Sequence, residues 1–297
     1  MRLQGFENYH ELYDWSINQR SLFWEAIVDF CDIQFSKKPE INLIEGVDMV
    51  SDVWFPDAKL NFAEHLLKYK GSRAAIIFRG EENQRKEISF DQLRLQVASV
   101  AYHLKAIGLR KNDCVAAFLP NCPEAIIAML ACSSIGIIWS SCSPDFGVEG
   151  VVDRFGQIKP KLFFAVDGYL YNGKKIDTTS TVTNIVDQIP SIKDTIIIPF
   201  LDELPKYENR NNTIYWSDLI KEKVPLEFAS LSFNHPLYIL FSSGTTGLPK
   251  CIVHGAGGTL IQQMKEHILH YDIGIKDRLF YFTTCGWMMW NWMVTGL

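Results

Sequence analysis

The feature that most constrains the fold of this chain is an alternation of short apolar runs with segments of helical periodicity between residues 74 and 198. The run at 114–119 is apolar throughout, which is typical of a strand covered on both faces. Pro123 suits the first turn of the helix that follows, and Gly136 suits its end. Strands that alternate with helices form parallel sheets with right-handed crossovers. The sequence therefore predicts an α/β fold of layered, parallel-rich sheets flanked by helices.

Composition and charge are those of a folded globular protein. Hydrophobic residues make up 47% of the 297 residues, and 29 basic against 34 acidic residues give a net charge of −5. Runs of Lys and Arg never exceed a pair, which argues against nucleic acid or an anionic membrane as a partner. The start resembles no signal peptide, and the most apolar stretch, 125–139, is shorter than a membrane span of roughly 20 residues. We expect a cytoplasmic protein with no membrane span.

The spacing of cysteine and histidine predicts neither disulfides nor a metal site. The seven cysteines are Cys31, Cys114, Cys122, Cys132, Cys142, Cys251 and Cys285. An odd number without a CxxC pair favours reduced, buried thiols. His267 and His270 lie three apart in a helical segment, but no acidic residue completes an HExxH pattern, so no metal ligands are assigned.

The segment at 238–254 is a strand that runs into a loop rich in glycine and hydroxyl groups. The loop contains Ser242, Ser243, Gly244, Thr245, Thr246 and Gly247, followed by Pro249 and Lys250. Glycines let backbone N–H groups approach an anion closely, hydroxyls add donors, and a lysine adds a compact positive charge. The pattern predicts a loop that binds the phosphates of a nucleotide.

Two familiar phosphate-binding patterns do not fit this loop. A Walker loop requires Gly-Lys-Ser/Thr where this chain has Pro249, and Gly255, Gly257 and Gly258 lack the helix-opening turn of the dinucleotide fingerprint. The plainer alternative is a surface loop that only joins two strands. The density of donors between a strand, a proline and a lysine favours phosphate binding over that alternative.

The segment 238–254 resembles the phosphate-loop signature of the adenylate-forming superfamily, which includes the acyl-CoA synthetases. Two more segments, VWFPDAKLNFAEHLL at 53–67 and TCGWMMWNW at 284–292, resemble the acetoacetate-activating members more than those that activate acetate or propionate. The resemblance implies ATP and CoA as cosubstrates and a short-chain carboxylic acid as substrate. It implies adenylation of acetoacetate followed by thioester formation, with Ser242 to Gly247 and Lys250 holding ATP phosphates.

The tryptophan-rich segment at 287–292 has two interpretations. It is either a buried aromatic core element or the wall of a small acyl pocket, which flat aromatic and adaptable methionine side chains can shape. In acetyl-CoA synthetases the positions just after the corresponding tryptophan contact the acyl group. The resemblance therefore implies a substrate pocket formed by Trp287, Met288 and Met289. It also implies CoA contacts at Tyr171, Asn172, Gly173 and Lys174, although the arginines of that stretch in the relatives are missing here.

The resemblance further implies a helical N-terminal segment at 1–70 and part of an AMP-binding domain at 71–297. The residues that hold adenine and most of the Mg²⁺ contacts, and the mobile C-terminal domain with its lysine, would lie beyond Leu297. The chain is thus expected to be an incomplete part of an acid–thiol ligase, not competent alone and without a catalytic residue of its own. Two alternatives stay open: a ligase for acetate or propionate, and a non-catalytic nucleotide-binding module.

Several local predictions complete the sequence interpretation. Aromatic residues at helical spacing in 9–35 predict a helical hairpin. A strand is predicted at 277–284, looser stretches at 177–183 and 202–212, and a helix at 259–271 with Leu269 facing inward. Asn61 and Glu64 are expected on the solvent-exposed face of a short helix at 60–67.

Overall fold

The computed structural model describes residues 5–201, 212–242 and 247–297. The helices are α1 (Tyr9–Asn18), α2 (Arg20–Phe30), α3 (Phe62–Leu66), α4 (Phe90–Ala106), α5 (Pro123–Ser134), α6 (Val148–Ile158), α7 (Thr179–Gln188), α8 (Trp216–Leu219), α9 (Ala256–Lys265) and α10 (Met288–Val294), and a π-helical turn (Glu266–His270) continues α9. The strands are β1 (Leu43–Ile44), β2 (Val53–Trp54), β3 (Lys59–Leu60), β4 (Ala74–Arg79), β5 (Arg85–Ser89), β6 (Cys114–Phe118), β7 (Ile138–Cys142), β8 (Leu162–Val166), β9 (Gly168–Tyr171), β10 (Lys174–Asp177), β11 (Asp194–Ile198), β12 (Asn212–Tyr215), β13 (Leu231–Ser232), β14 (Pro236–Ser242) and β15 (Lys250–Gly255).

The predicted parallel-rich sheet is confirmed. In the described part of the chain, a seven-stranded sheet has the order β12-β11-β8-β6-β7-β14-β15. Neighbouring strands are parallel from β12 to β14, and β15 closes the sheet as an antiparallel edge strand. The carboxyl ends of parallel strands share one edge of a sheet, which is where ligands bind in open α/β folds. The segments after β6, β7 and β14 therefore meet at one edge.

Helices cover both faces of the sheet, as the apolar pattern of its central strands requires. Along β6, Val115 and Ala117 belong to one buried cluster, whereas Ala116 and Phe118 belong to the other. Alternate residues of a strand point to opposite faces, so β6 is buried on both. The α4, α5 and α9 helices contribute to the first cluster and α6 and α7 to the second.

Local signals fix the ends of α4 and α5, and the ends of α5 lie where Pro123 and Gly136 predict them. Ser89 and Gln92 form a capping box at the start of α4, in which the Ser89 hydroxyl accepts from the Gln92 N–H and the Gln92 side chain accepts from the Ser89 N–H. Pro123 begins α5, and Gly136 follows its end with a φ of 78° that favours glycine. The hairpin of α1 and α2 is also as predicted.

The prediction for Asn61 was wrong, because this side chain is buried. Its Oδ1 caps α3 by accepting from the Glu64 N–H, while Nδ2 donates to the carbonyl oxygens of Ser134 and Ala229, each at 2.9 Å. A short polar side chain at an N-cap satisfies one orphan N–H of the helix. Here the same amide also ties α3 to the end of α5.

Three further local predictions were wrong. Residues 277–284 form no strand in the structure, and Phe280 and Phe282 are 79% and 91% exposed. A strand requires a hydrogen-bonded neighbour, which the described residues do not give this segment. Residues 177–183 are ordered as the end of β10 and the start of α7, while most of 202–212 lies outside the described residues. Leu269 is 45% exposed because the π-helical turn ends the α-helical periodicity of α9.

Candidate functional site

The ends of the predicted phosphate loop lie on an antiparallel hairpin at the carboxyl edge of the sheet. β14 and β15 pair in register, with Ser242 opposite Lys250. Gly247 has a φ of 104°, a conformation that strains any residue with a Cβ atom. Ser243, Gly244, Thr245 and Thr246 lie outside the described residues.

The described part of this hairpin suits an anion. Lys250 is exposed and, among the described residues, no carboxylate lies within ion-pair distance of its ammonium. The segment that leads back to Lys250 is fixed by α6, since Gln157 Nε2 donates to the Pro249 carbonyl at 2.9 Å. A lysine on a supported strand, with no carboxylate partner in the described part of the chain, can direct its ammonium group towards a phosphate oxygen.

The tryptophan-rich segment is anchored at the same edge, on the end of β7. The Ser141 hydroxyl donates to the Cys285 carbonyl at 2.6 Å, and the Cys285 thiol lies 3.3 Å from the Pro120 carbonyl. A Cβ atom built on Gly286 would lie 3.6 Å from Cys142 Cα, so the backbone at Gly286 packs closely against the end of β7. Since β7 pairs with β14, the segment and the loop hairpin occupy neighbouring strand ends.

The tryptophan segment divides into buried and exposed residues. Trp290 and Trp292 are 0% and 3% exposed, as expected of core residues, and Trp290 Nε1 donates to Asn121 Oδ1 at 3.0 Å. By contrast, Trp287 is 67% and Met288 45% exposed, and Met289 is half-buried. The buried tryptophans fix α10, and the exposed residues at its start are available to contact a ligand.

The thiols at this edge are not poised for chemistry. Burial raises the pKa of Cys142 to about 12, and it also raises the pKa of Cys122 and Cys285 well above the usual range. All seven cysteines are free, and Cys251 on β15 is the exposed one. A thiol reacts as its thiolate, so these buried groups serve packing rather than catalysis.

The predicted CoA residues form the tip of the β9–β10 hairpin. Asn172 and Gly173 both have positive φ, which is typical of a two-residue type I′ turn. Their backbone N–H groups donate to the two carboxylate oxygens of Glu81, at 3.0 Å and 2.6 Å. Tyr171 and Lys174 flank the turn and are exposed. An anion that uses the turn N–H groups would therefore have to displace Glu81.

Residues that support the site were missed by sequence reasoning. Asn121 and Ser141 hold the tryptophan segment, yet each looks like an ordinary polar residue in the sequence. Asn121 follows a fully buried strand on the carboxyl side, and that position is a usable signal. Ser141 lies within a buried strand, and nothing in the sequence marks it.

Within the described residues, the structure shows neither a cluster of metal-ligating side chains nor a membrane-spanning helix. No group of three or more His, Cys, Asp and Glu side chains is arranged there to hold a metal ion. His267 is buried and its Nε2 lies 2.9 Å from the Trp292 carbonyl. The described helices include none with the length and hydropathy of a membrane span.

The fold and site are those of an α/β protein whose ligand edge combines a glycine-rich hairpin with an aromatic helix. The family model for AMP-binding enzymes matches residues 62–297, and the model for the acetyl-coenzyme A synthetase N-terminus matches residues 9–66. The chain belongs to the AMP-binding enzyme family.

Individual relatives refine the comparison. An acetoacetyl-coenzyme A synthetase of Rhizobium meliloti (strain 1021) is 48% identical over 297 residues, which are 99% of this chain and 45% of the relative. A malonamoyl-CoA synthetase of Penicillium aethiopicum is 40% identical, over 99% of this chain and 43% of that protein. The solved structure of an acetoacetyl-CoA synthetase from Streptomyces lividans matches with a TM-score of 0.92 and 40% identity, over 98% of this chain and 45% of that one. The chain thus spans less than half the length of these relatives.

Proposed function

We propose that this chain supplies the phosphate-binding and acyl-binding part of a ligase that joins acetoacetate to CoA at the expense of ATP. The observation that supports the proposal best is the placement of the loop hairpin and of Trp287 on neighbouring strand ends of one sheet edge. A nucleotide phosphate bound to the loop hairpin would therefore lie beside a short acid bound against Trp287. The relatives whose names specify acetoacetate agree with this substrate.

The proposed reaction has two steps. A carboxylate oxygen of acetoacetate attacks the α-phosphorus of ATP and pyrophosphate leaves, which gives an acyl-adenylate. The thiolate of CoA then attacks the acyl carbon and AMP leaves. A carboxylate is a poor electrophile, so the first step converts its oxygen into a good leaving group.

The loop's contribution is electrostatic. Ser242 to Gly247 and Lys250 would hold the β- and γ-phosphates while charge builds on the departing pyrophosphate. One preorganised donor of this kind contributes about 3 kcal/mol to the lowering of a barrier. Mg²⁺ would be held mainly by residues outside this chain, and Lys250 is assigned to charge neutralisation rather than to a catalytic step.

Trp287, Met288 and Met289 would form the wall against the acid. The exposure of Trp287 and Met288 at the start of an anchored helix supports this role. Contacts of one methylene group discriminate between acids by about 1 to 3 kcal/mol, so this wall alone gives modest selectivity. The CoA contact at Tyr171, Asn172, Gly173 and Lys174 is retained in the proposal and requires displacement of Glu81.

The division of the chain into a helical segment at 1–70 and a partial AMP-binding domain at 71–297 is also proposed. The two family models meet near this boundary. The cytoplasmic location remains a prediction from the sequence.

A second candidate substrate is malonamate, because a relative at 40% identity carries that specificity in its name. Acetoacetate and malonamate are both short acids with a carbonyl group β to the carboxylate, whereas acetate and propionate lack it. The chemistry shared by the first two defines the substrate class that we expect.

Pyrophosphate release with a panel of four acids tests this proposal. The chain is joined to the downstream part of the Rhizobium meliloti relative, and acetoacetate, malonamate, acetate and propionate are compared. We expect acetoacetate to give the highest kcat/KM, at least tenfold above acetate and propionate. Higher activity with acetate or propionate would assign the chain to another short-chain synthetase. ATP binding without pyrophosphate release from any acid would favour a non-catalytic module.

A further inference from the structure

A buried polar network joins the strand that leads into the glycine-rich loop to the end of the tryptophan helix. Gln263 on α9 is 6% exposed, and its Nε2 donates to the Tyr238 hydroxyl at 3.3 Å. Its Oε1 accepts a short hydrogen bond from the Thr295 hydroxyl, at the C-cap of α10. One amide therefore bridges β14 and α10.

The next turn of the same element makes two more contacts with α10. Trp292 Nε1 donates to Glu266 Oε2 at 2.9 Å, and His267 Nε2 lies 2.9 Å from the Trp292 carbonyl. A carbonyl can only accept, so Nε2 of His267 carries the hydrogen. Residues three and four apart face the same side of a helix, and Gln263, Glu266 and His267 have this spacing. Glu266 and His267 are the first two residues of the π-helical turn, and both contact α10 through these hydrogen bonds.

These contacts join two elements that each lead to a part of the candidate site. Tyr238 is fully buried in β14, the strand that ends at Ser242. Thr295 and Trp292 lie at the end of α10, the helix that begins beside Trp287 and Met288. The network thus holds the candidate acyl wall at a fixed position relative to the loop hairpin.

We propose that Gln263 and Thr295 are positioning residues that set the acid-binding wall relative to the phosphate-binding hairpin. The role rests on the function proposed above. The side chains of Gln263, Tyr238 and Thr295 all have hydrogen-bond partners in this bridge, and a satisfied buried bridge favours one arrangement of the elements that it joins. Misplacement of a bound reactant by about 1 Å can reduce a rate by roughly 100-fold, so a small shift of α10 would be visible in the kinetics of the acid.

The substitutions Thr295→Val and Gln263→Met remove the bridge with little change in side-chain volume. Thr295→Ser keeps the hydroxyl group. Ser99→Ala is the matched control. The Ser99 hydroxyl is equally buried and donates to the Leu219 carbonyl at 2.6 Å, between α4 and the end of α8. Loss of that bond should destabilise the chain to a similar extent without affecting α10.

The first readout is hydrogen–deuterium exchange in residues 284–296 of the chain itself. Loss of one hydrogen bond corresponds to about a tenfold change in a local opening equilibrium. We expect roughly tenfold faster exchange in Thr295→Val and Gln263→Met, and exchange like the parent in Thr295→Ser and Ser99→Ala. Unchanged exchange in the first two variants would overturn the positional claim whether or not the chimera is active.

The second readout is the kinetics of the chimera described above. We expect Thr295→Val and Gln263→Met to raise KM for acetoacetate at least fivefold while KM for ATP changes less than twofold, and Thr295→Ser to remain within twofold of the parent. Equal losses for both substrates, matching those of Ser99→Ala, would reduce the network to a structural role. A parent chimera without turnover would contradict the proposed function, and the exchange experiment would still decide the positional claim.

Discussion

Ser242 and Lys250 are direct cross-strand partners, so the glycine-rich loop is entered and left at two adjacent points of one antiparallel hairpin. Opposed residues in such a pair carry their side chains on the same face of the sheet. A hydroxyl donor and an ammonium group are therefore placed side by side where the loop joins its strands. This arrangement connects the sequence motif to a specific geometry at the carboxyl edge.

Lys250 should contribute to the affinity for pyrophosphate. A charge-assisted contact to a phosphate oxygen has a larger effect than a neutral one, so Lys250→Met should weaken binding of inorganic pyrophosphate about tenfold. Isothermal titration of the chain measures this, with Lys223→Met on an exposed loop as the control. Equal affinities of the Lys250→Met variant and the parent for pyrophosphate would show that Lys250 does not contribute to binding.

Asn61 should be far more important for stability than its helix cap alone suggests. Asn61→Ala removes the cap and both hydrogen bonds that Nδ2 donates, and the Ser134 carbonyl keeps the Ala229 N–H as a donor. This predicts a loss of about 2 to 3 kcal/mol in the free energy of unfolding. Asn8 caps α1 in the same way but is exposed, so Asn8→Ala should cost about 1 kcal/mol or less. Urea denaturation of both variants provides the comparison, and equal losses would argue against the buried role of Asn61.

His65 should make the stability of the fold depend on pH. Both ring nitrogens are buried without a partner among the described residues, and burial, with a smaller effect of Lys68, lowers its pKa from 6.5 to about 4. The folded state therefore favours the neutral ring. Its stability should be full above pH 6.5 and decrease as the pH falls towards 4, by about 3 kcal/mol in all.

The His65→Leu variant provides the test of that assignment. Urea unfolding between pH 7.5 and 4.5 should show a shallower loss of stability in His65→Leu than in the parent. His10 is exposed on α1, so His10→Leu should keep the slope of the parent. A His65→Leu variant with the parent's slope would show that other groups cause the acid sensitivity.

The exposed segment at 277–284 should make the isolated chain self-associate. Phe280 and Phe282 project largely into solvent, and such aromatic exposure, beside backbone that has no strand partner among the described residues, favours intermolecular contacts. The double variant Phe280→Ser/Phe282→Ser should shift the chain towards monomer in concentration-dependent light scattering. Val47→Ser, at a fully exposed residue of another loop, should not. Association that is the same in all three proteins would rule out this segment as the cause.

The parallel sheet could be predicted from the sequence because the patterns that indicate its strands and helices are local. The strands β6, β8 and β11 contain apolar runs, and the helix after β6 has a recognisable start at Pro123. The same local pattern places the loop hairpin and the tryptophan segment, although their meeting at one edge becomes visible only when β7 and β14 are seen to pair.

The sequence predictions failed where contacts between distant parts of the chain determine the local structure. Asn61 is buried by carbonyl groups of residues 134 and 229, which no local pattern connects with it. Residues 277–284 have the composition of a strand but lack a hydrogen-bonded neighbour among the described residues. The role of Gln263 likewise depends on Tyr238 and Thr295, and in the sequence it is one polar residue on an amphipathic helix.

We propose that the loop after β14 binds pyrophosphate oxygens while an acid is activated beside it. The most direct test of this proposal is acetoacetate-dependent exchange of labelled pyrophosphate into ATP by the chimera, with and without the double substitution Thr245→Ala/Thr246→Ala. We expect pyrophosphate exchange by the parent chimera and an exchange rate at least about 100-fold lower in the double variant, because the variant lacks two preorganised donors. Exchange at nearly the parental rate in that variant would contradict the proposal.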